Sequence, residues 1–307
     1  MKNGISLCMI VKNEKNRIAG CIEPIFDLLD QIVIVDDYSE DGTPDLLRKR
    51  FGIEVIRKRT GRINRLCDLR NTAFDIANTP WTLSLDADER MEPEVLEAFL
   101  HADHEARISG YFGPWMNYHA RDEPFEDYKL FIFRKGYRMR GIIHENVQMD
   151  IRLRSQRAEW LDYLRVTHYP EERKKIERIA LRRRRLAYAI RLEPTWYRYH
   201  WFLGLLELMA GNRDRALWAF STIAHANSLQ FPVECLNSYM ALAEMLARSG
   251  FSSELDQELD AALAFHERVA DDFEVEVNFR LKPWLRQARK DCTAGRFDAI
   301  RIYRFAW

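Results

Sequence analysis

The chain has 307 residues, 47% of them hydrophobic and 12% aromatic, which is enough apolar material for one large or two ordinary folded domains. Lysine plus arginine and aspartate plus glutamate both total 47, and this balance excludes a protein-wide electrostatic footprint for nucleic acid or another polyanion. Five scattered cysteines, Cys8, Cys21, Cys67, Cys235 and Cys292, lack Cys-x-x-Cys spacing; they exclude a disulfide framework and a zinc site, and suit a reducing compartment.

The first apolar run, Ile5–Val11, reads as a buried strand. It is about seven residues long and ends at Lys12, too short for a signal-peptide core or a membrane span, so the chain reads as cytoplasmic with no transmembrane segment. Apolar residues at Ile18, Ile22, Ile25, Phe26 and Leu29 predict a helix from Arg17 to Leu29. Gln31–Val35 is a second strand. It runs into the acidic turn Asp36–Thr43 and a helix from Pro44 to Phe51, with the proline in the first turn where its missing N–H costs nothing. Ile53–Ile56, Leu66–Ala77 and Trp81–Leu85 follow as strand, helix and strand. This alternation predicts an α/β fold, a mostly parallel sheet with helices on both faces, whose ligands gather beyond the carboxyl ends of the strands. By that rule Asp36-Asp37 and Asp86-Ala87-Asp88 share one crevice.

In an extended chain residues i and i+2 project to one side, so Asp86 and Asp88 can converge on one ion, or on an ion and a sugar hydroxyl, with Ala87 leaving room between them. Hard oxygen ligands suit Mg²⁺ or Mn²⁺, which keep positions open for a substrate diphosphate. Asp36-Asp37 reads equally well as a turn or helix-capping device. The first turn, Val11-Lys12-Asn13-Glu14, has no glycine, which argues against the Gly-x-Gly-x-x-Gly dinucleotide fingerprint and a nicotinamide enzyme.

Four segments stand in order over about ninety residues: Ser6–Glu14, Ile34–Ser39 with Asp41-Gly42-Thr43, Arg70-Asn71, and Leu85–Glu89. Together they resemble the inverting glycosyltransferases of family 2, which have the GT-A nucleotide-diphospho-sugar transferase fold. The resemblance implies that Ile10, Val11, Asn13, Glu14 and Asp37 hold the base and ribose of the donor, and that Arg70 contacts its diphosphate. It further implies that Asp86, with Ala87, faces the ribose or phosphates and that Asp88 binds Mn²⁺ or Mg²⁺. The implied reaction moves a sugar from a nucleotide-sugar donor, a UDP-sugar foremost, to a glycan, lipopolysaccharide-core or peptide acceptor.

Aromatic, alternating stretches at Tyr111–Tyr118, Tyr128–Arg134 and Tyr137–Gly141 predict further strands closing one wall of the crevice. Beyond them His144-Glu145 offers a carboxylate at crevice level, in a Gly-x-x-His-Glu element of the kind that related family members carry. An inverting transferase needs one base to deprotonate the acceptor, and Glu145 takes that role here, with Asp122, Glu126 and Asp127 as substitutes. His168 follows an apparent last strand, where the resemblance places a histidine near metal and diphosphate; a strand-end hydrogen bond is the plain alternative.

After Pro170 strand alternation ceases, which divides the chain into an α/β domain, 1–170, and an all-α helical-hairpin domain, 171–307. The basic run Arg182–Arg185 reads first as a solvated helix face; donor phosphates, an acidic acceptor or anionic lipid, with peripheral membrane association, are the alternatives. Trp201–Gly204, Gly211-Asn212, Ala216 and Phe220 resemble a tetratricopeptide hairpin, with a looser echo at Ala243, Gly250, Leu259 and Ala262. Such hairpins serve as a buttress or homodimer element, or as a partner-binding surface. Two rival functions keep the same residues: a sugar-phosphate nucleotidyltransferase, disfavoured by the Asn-Glu first loop, and a non-catalytic binding protein, disfavoured by intact Asp86, Asp88 and Glu145.

Overall fold

The apolar run Ile5–Val11 forms strand β1 at the heart of a mixed nine-stranded sheet. The computed structural model describes residues 3–61, 65–118, 123–170, 175–303 and 305, with backbone only at 175–178. It divides into two compact units, Met1–Arg173 with Ala306–Trp307, and Lys174–Phe305. In the first, β1 is followed by α1 (Ile18–Ile22), β2 (Gln31–Asp36), α2 (Thr43–Phe51), β3 (Ile56–Arg57), α3 (Leu66–Ile76) and β4 (Trp81–Ser84). Then come β5 (Glu89–Arg90), α4 (Pro93–His101), β6 (Ile108–Asn117), β7 (Phe125–Arg134), α5 (Gln148–Leu153), β8 (Arg157–Trp160) and β9 (Val166–His168).

The strand order is β3-β2-β1-β4-β7-β6-β9-β5, with β8 also on β6. Strands β3, β2, β1 and β4 are mutually parallel, whereas β7 runs antiparallel between β4 and β6 and β5 runs antiparallel to β9. Because β1 is covered on both faces it is apolar at every position but Ser6, whose hydroxyl bonds Gln31 and Thr79. Ile5, Leu7, Met9 and Val11 join a core with Ile18, Ile22 and Ile25 on one side and Leu96 and Phe99 of α4. The intervening Cys8 meets α3, its thiol donating to the Ala73 carbonyl at 3.7 Å. Register fixes the crevice: Val11 lies opposite Asp36, and Cys8 opposite Ser84, so the loops after β1, β2 and β4 leave one edge of the sheet.

Three expected elements differ. The helix Arg17–Leu29 splits into the short α1 and a 3-10 segment Glu23–Leu28, because Pro24 at its start cannot donate the hydrogen bond that would continue an α-helix. The strand Ile53–Ile56 reduces to Ile56–Arg57: Gly52 ends α2 in the left-handed conformation and Ile53 N donates back to Leu47 O at 3.3 Å. Tyr137–Gly141 forms no strand, only a bridge from Arg140 to Asn146. The Asn71 side chain takes both backbone groups of Met139, and Asp150 accepts Arg138 N.

The second unit is helical: α6 (Lys175–Leu192), α7 (Arg198–Met209), α8 (Arg213–Ala226), α9 (Pro232–Ala247), α10 (Ser252–Val269), α11 (Phe273–Val277) and α12 (Leu281–Thr293). Gly204 of α7 admits the Phe220 ring of α8, and Trp201 packs on the same ring at 5.4 Å, so the predicted hairpin residues are those that seat one helix on the next. In the basic run, Arg183 binds the buried Glu207 carboxylate through two nitrogens, at 2.5 and 2.8 Å, which makes it a structural ion pair. Among the described residues no helix is long and apolar enough to cross a membrane.

One glycine in the first unit tests the packing. A Cβ at Gly113 of β6 would lie 2.0 Å from the Leu164 carbonyl oxygen, whereas one at Gly61 would meet nothing within 4 Å. Gly113→Ala is expected to cost about 3 kcal/mol in urea denaturation and Gly61→Ala less than about 0.5 kcal/mol.

Candidate active site

The loops after β1 and β2 are laced by side chains. Asn13, in the left-handed region at φ 59°, donates its N–H to Ser39 Oγ at 2.8 Å and accepts Glu40 N–H on its own Oδ1 at 2.8 Å. Glu14 N donates to Thr43 Oγ1 at 2.9 Å. Ile10 and Val11 lie within β1, and Val11 O accepts Asp37 N at 2.9 Å. The two adjacent aspartates divide the turn between them. Asp36, fully buried, accepts Ser39 N with both oxygens and shapes the turn. Asp37 accepts Lys12 Nζ at 2.9 Å and the N–H and hydroxyl of Thr60 at 3.0 and 3.2 Å. Burial works against its charge, but the Lys12 and Thr60 hydrogen bonds outweigh it and hold the carboxyl below its ordinary range.

A chain of paired charges joins α3, β7 and the loop after β4 to Glu145. Arg70 of α3 donates through Nη2 to Asp86 Oδ1 at 2.7 Å and through Nε to Glu145 Oε1 at 2.9 Å. The other Asp86 oxygen faces Lys129 Nζ of β7 at 3.3 Å, and Lys129 also donates to Glu89 Oε1 at 2.6 Å. Glu89 closes the ring by accepting Asp86 N at 2.8 Å. Burial opposes the charges of Arg70, Asp86, Lys129 and Glu89. For Asp86 the opposition is overcome by Arg70 and Lys129, and its carboxyl sits well below the normal range; for Arg70 and Lys129 the facing carboxylates win and both titrate high. Glu89, fully buried, is pushed up by desolvation despite Lys129.

Asp88 stands apart from this chain. Its Oδ2 lies 3.6 Å from His168 Nε2 and 3.5 Å from Arg17 Nη1, and β5–β9 pairing fixes the approach, with Tyr169 N donating to Asp88 O at 2.9 Å. Ala87 is buried in the sheet core. Asn117 commits its amide nitrogen to Trp115 O, so its Oδ1 accepts His168 Nδ1–H at 2.7 Å and Nε2 is the ring nitrogen that faces Asp88. The imidazole also stacks on Trp115 at 4.7 Å. A carboxylate oxygen and an imidazole nitrogen at this separation fit two ligands of one hard divalent ion, each about 2.1 Å from it, with the remaining positions left to water and phosphate oxygens. Among the described residues no group of three or more His, Cys, Asp and Glu side chains is set to hold a metal by itself.

The structure thus gathers Asn13, Glu14, Asp37, Arg70, Asp86, Asp88, Glu145 and His168 around the carboxyl ends of β1, β2 and β4. Of the substitute carboxylates, Glu126 and Asp127 lie in β7 opposite Met116 and Trp115, and Asp122 lies outside the described residues. The sequence reading missed Lys129, Glu89, Arg17 and Asn117. A signal existed for Lys129, a lone cation in the run Tyr128-Lys129-Leu130-Phe131-Ile132-Phe133, whose charge demands a buried partner.

Comparison with known proteins gives the family of the α/β unit. A sequence profile described as Glycosyl transferase family 2 matches residues 6–159. The chain is 33% identical over 95 residues to a TPR repeat-containing protein of Synechococcus elongatus, covering 31% of this chain and 22% of that one. It is 28% identical over 102 residues to an uncharacterized glycosyltransferase of Rickettsia conorii, covering 33% and 35%. Alignment therefore spans about a third or less of the length of these curated relatives. Among solved structures, S. aureus TarS 1-349 is 13% identical with a TM-score of 0.45, covering 99% of this chain and 94% of that one.

Arg70 carries a stability prediction. Arg70→Met leaves Glu145, whose side chain is 7% exposed, without its cation; Asp86, 35% exposed, keeps Lys129 and solvent. The expected loss is about 3 kcal/mol at pH 7 in urea denaturation. In the native protein Asp86, depressed below its unfolded 3.8, contributes stability that is present above that value and lost as pH falls through its lower folded value. In the variant the deficit relative to the native protein is expected to narrow in urea denaturation as pH falls below about 4, because the stability that Arg70 lends through Asp86 is lost there in the native protein.

Proposed function

We propose, from the premise that the chain belongs to glycosyl transferase family 2 over residues 6–159, that it transfers a sugar from a nucleotide-diphosphate donor to an acceptor hydroxyl in one inverting displacement. The α/β unit has the GT-A fold that its sequence resemblance implies. The observation that carries the reading is the Arg70 bridge, which ties Asp86 of the loop after β4 to Glu145, more than fifty residues further along the chain. A candidate base is thereby fixed at the floor of the crevice that would receive the donor.

Asp37, poised between Lys12 and Thr60, would accept from the base or ribose, as would backbone groups of the Ile10–Glu14 loop. Asp88 and His168 would hold Mn²⁺ or Mg²⁺, and such an ion supplies positive charge to a departing diphosphate. Glu145 takes the proton of the attacking hydroxyl on its carboxylate. Arg70 orients that carboxylate through Oε1 and, being shared with Asp86, remains paired when Glu145 becomes neutral. Two partners on one buried guanidinium therefore let the base change charge without stranding the cation.

A thermal-shift screen of nucleotide sugars with and without Mn²⁺ identifies the donor, since a ligand bound only by the folded state raises Tm; a UDP-sugar giving an Mn²⁺-dependent rise is the expected result. With that donor, Glu145→Gln is expected to lower kcat by about 10²–10⁴ in a nucleotide-release assay while its Kd for the donor stays within about threefold. Wild-type turnover in Glu145→Gln removes the base assignment. Loss of donor binding in that variant reassigns Glu145 to the binding step.

A further inference from the structure

The geometry points to Trp115 as the positioning residue for His168: its carbonyl sets the hydrogen bond that orients the imidazole, and its indole sets the plane of that ring, so that Nε2 is presented to Asp88. This rests on the reading of Asp88 and His168 as the metal-holding pair.

Strand register brings the groups together. Strand β6 lies between β7 and β9, with Gly113 opposite Lys129, Trp115 opposite Val166 and Asn117 opposite His168. Trp115, Asn117, Lys129 and His168 therefore fall on one face of the sheet, and Trp115 is the diagonal neighbour of Lys129 on one side and of His168 on the other. Its ring lies 5.3 Å from the Lys129 ammonium. The imidazole centroid is 4.7 Å away, with the two ring planes 25° apart.

One hydrogen bond does not fix an imidazole. A histidine side chain has two torsions, and the bond from Nδ1 to Asn117 Oδ1, at 2.7 Å, constrains one combination of them while leaving the ring free to tilt. Stacking on a flat indole removes that second freedom. The hydrogen bond is itself set by residue 115. The fully buried Asn117 donates its amide nitrogen to the Trp115 carbonyl at 2.8 Å, which leaves Oδ1 for the imidazole. One residue thus acts on His168 through both main chain and side chain, and Nε2 comes to lie 3.6 Å from Asp88 Oδ2.

The indole is retained at a cost. Trp115 Nε1 is buried with no hydrogen-bond partner among the described residues, an unfavourable state that a phenyl or aliphatic side chain would avoid. What the indole supplies in return is a broad face held from the β7 side by an ammonium that Glu89 anchors at 2.6 Å. A ring fixed on that side is a rigid surface for the imidazole on the other.

Mn²⁺ binding to the full chain, followed by EPR of the free aqueous ion, tests this without any turnover. Trp115→Phe, which keeps a planar face, is expected to bind Mn²⁺ within about threefold of the native chain, whereas Trp115→Leu and Trp115→Met, which fill space without a plane, bind it about tenfold more weakly. All three lose volume, so rescue by a ring alone is a result that a merely structural role does not give. Native-like circular dichroism selects the aliphatic variant to be used, and either suffices. Native Mn²⁺ affinity in that variant overturns the role of Trp115, as does an equal loss in Trp115→Phe. Where neither aliphatic variant folds, the native chain decides: Mn²⁺ is expected to broaden the NMR signal of the Trp115 indole N–H, assigned by its absence in Trp115→Phe, ahead of the other tryptophan signals, and no preferential broadening overturns the proposal. Asp88→Asn separates the two levels: if it leaves Mn²⁺ affinity unaltered, the metal-holding pair itself is misassigned.

Discussion

One buried guanidinium organises the first unit's crevice. Arg70 is the element by which a helix, a post-strand loop and a distant loop are held in register, and each partner is acidic: Asp86 on one branch of the fork, Glu145 on another. A lysine in its place offers a single point charge and cannot hold two carboxylates in fixed directions. Desolvating the cation is expensive, and the paired carboxylates offset that cost. The arrangement accordingly specifies geometry more than it adds stability, and it explains why α3 must lie over β1 and β2 with Arg70 facing the strand ends.

Around this centre the backbone adopts the conformations that side chains normally avoid. Asn13, Tyr38 and His144, at φ 59°, 55° and 52°, sit in the loops after β1, after β2 and before Glu145. Each such residue outside glycine costs of order 1 kcal/mol and persists only where its surroundings determine it. Here the surroundings are visible: Asp36 receives Ser39 N on both oxygens beyond Tyr38, while Ser39 Oγ and Glu40 N hold Asn13 from two sides. In this acidic turn Asp36 is the turn device, while Asp37 is the carboxylate proposed to meet the donor.

Much of this was legible in the sequence wherever local pattern and burial coincide. The largely apolar runs of β1 and β2 and the buried β4 fit a doubly covered sheet, and because the three strands are parallel the loops that follow them leave from one edge. Gly204 and Phe220, sixteen residues apart, marked a helix contact because small and large residues pair across such seams. The sequence concealed what depends on distant partners. Met139 has a strand-like neighbourhood, yet its backbone is taken by Asn71 from α3, a competition no window around Met139 reveals. Glu89 looked like a solvated turn residue beside the Asp-x-Asp pair, and only the lysine of β7 makes it a buried carboxylate.

The alternation that suggested Asp86 and Asp88 act together gives them separate partners. Asp86 has its two oxygens facing Arg70 and Lys129, both anchored in packed elements and both titrating above their usual values because burial is outweighed by facing carboxylates. Asp88 faces a partly buried arginine at 3.5 Å and an imidazole nitrogen at 3.6 Å. A carboxylate saturated by fixed cations cannot exchange them for a transient ion without losing two buried pairs, whereas one with loosely held partners can. Equivalent side chains two residues apart thus differ in exchangeability, because α3 and β7 reach the first while the second meets β9 and Arg17 only at long range.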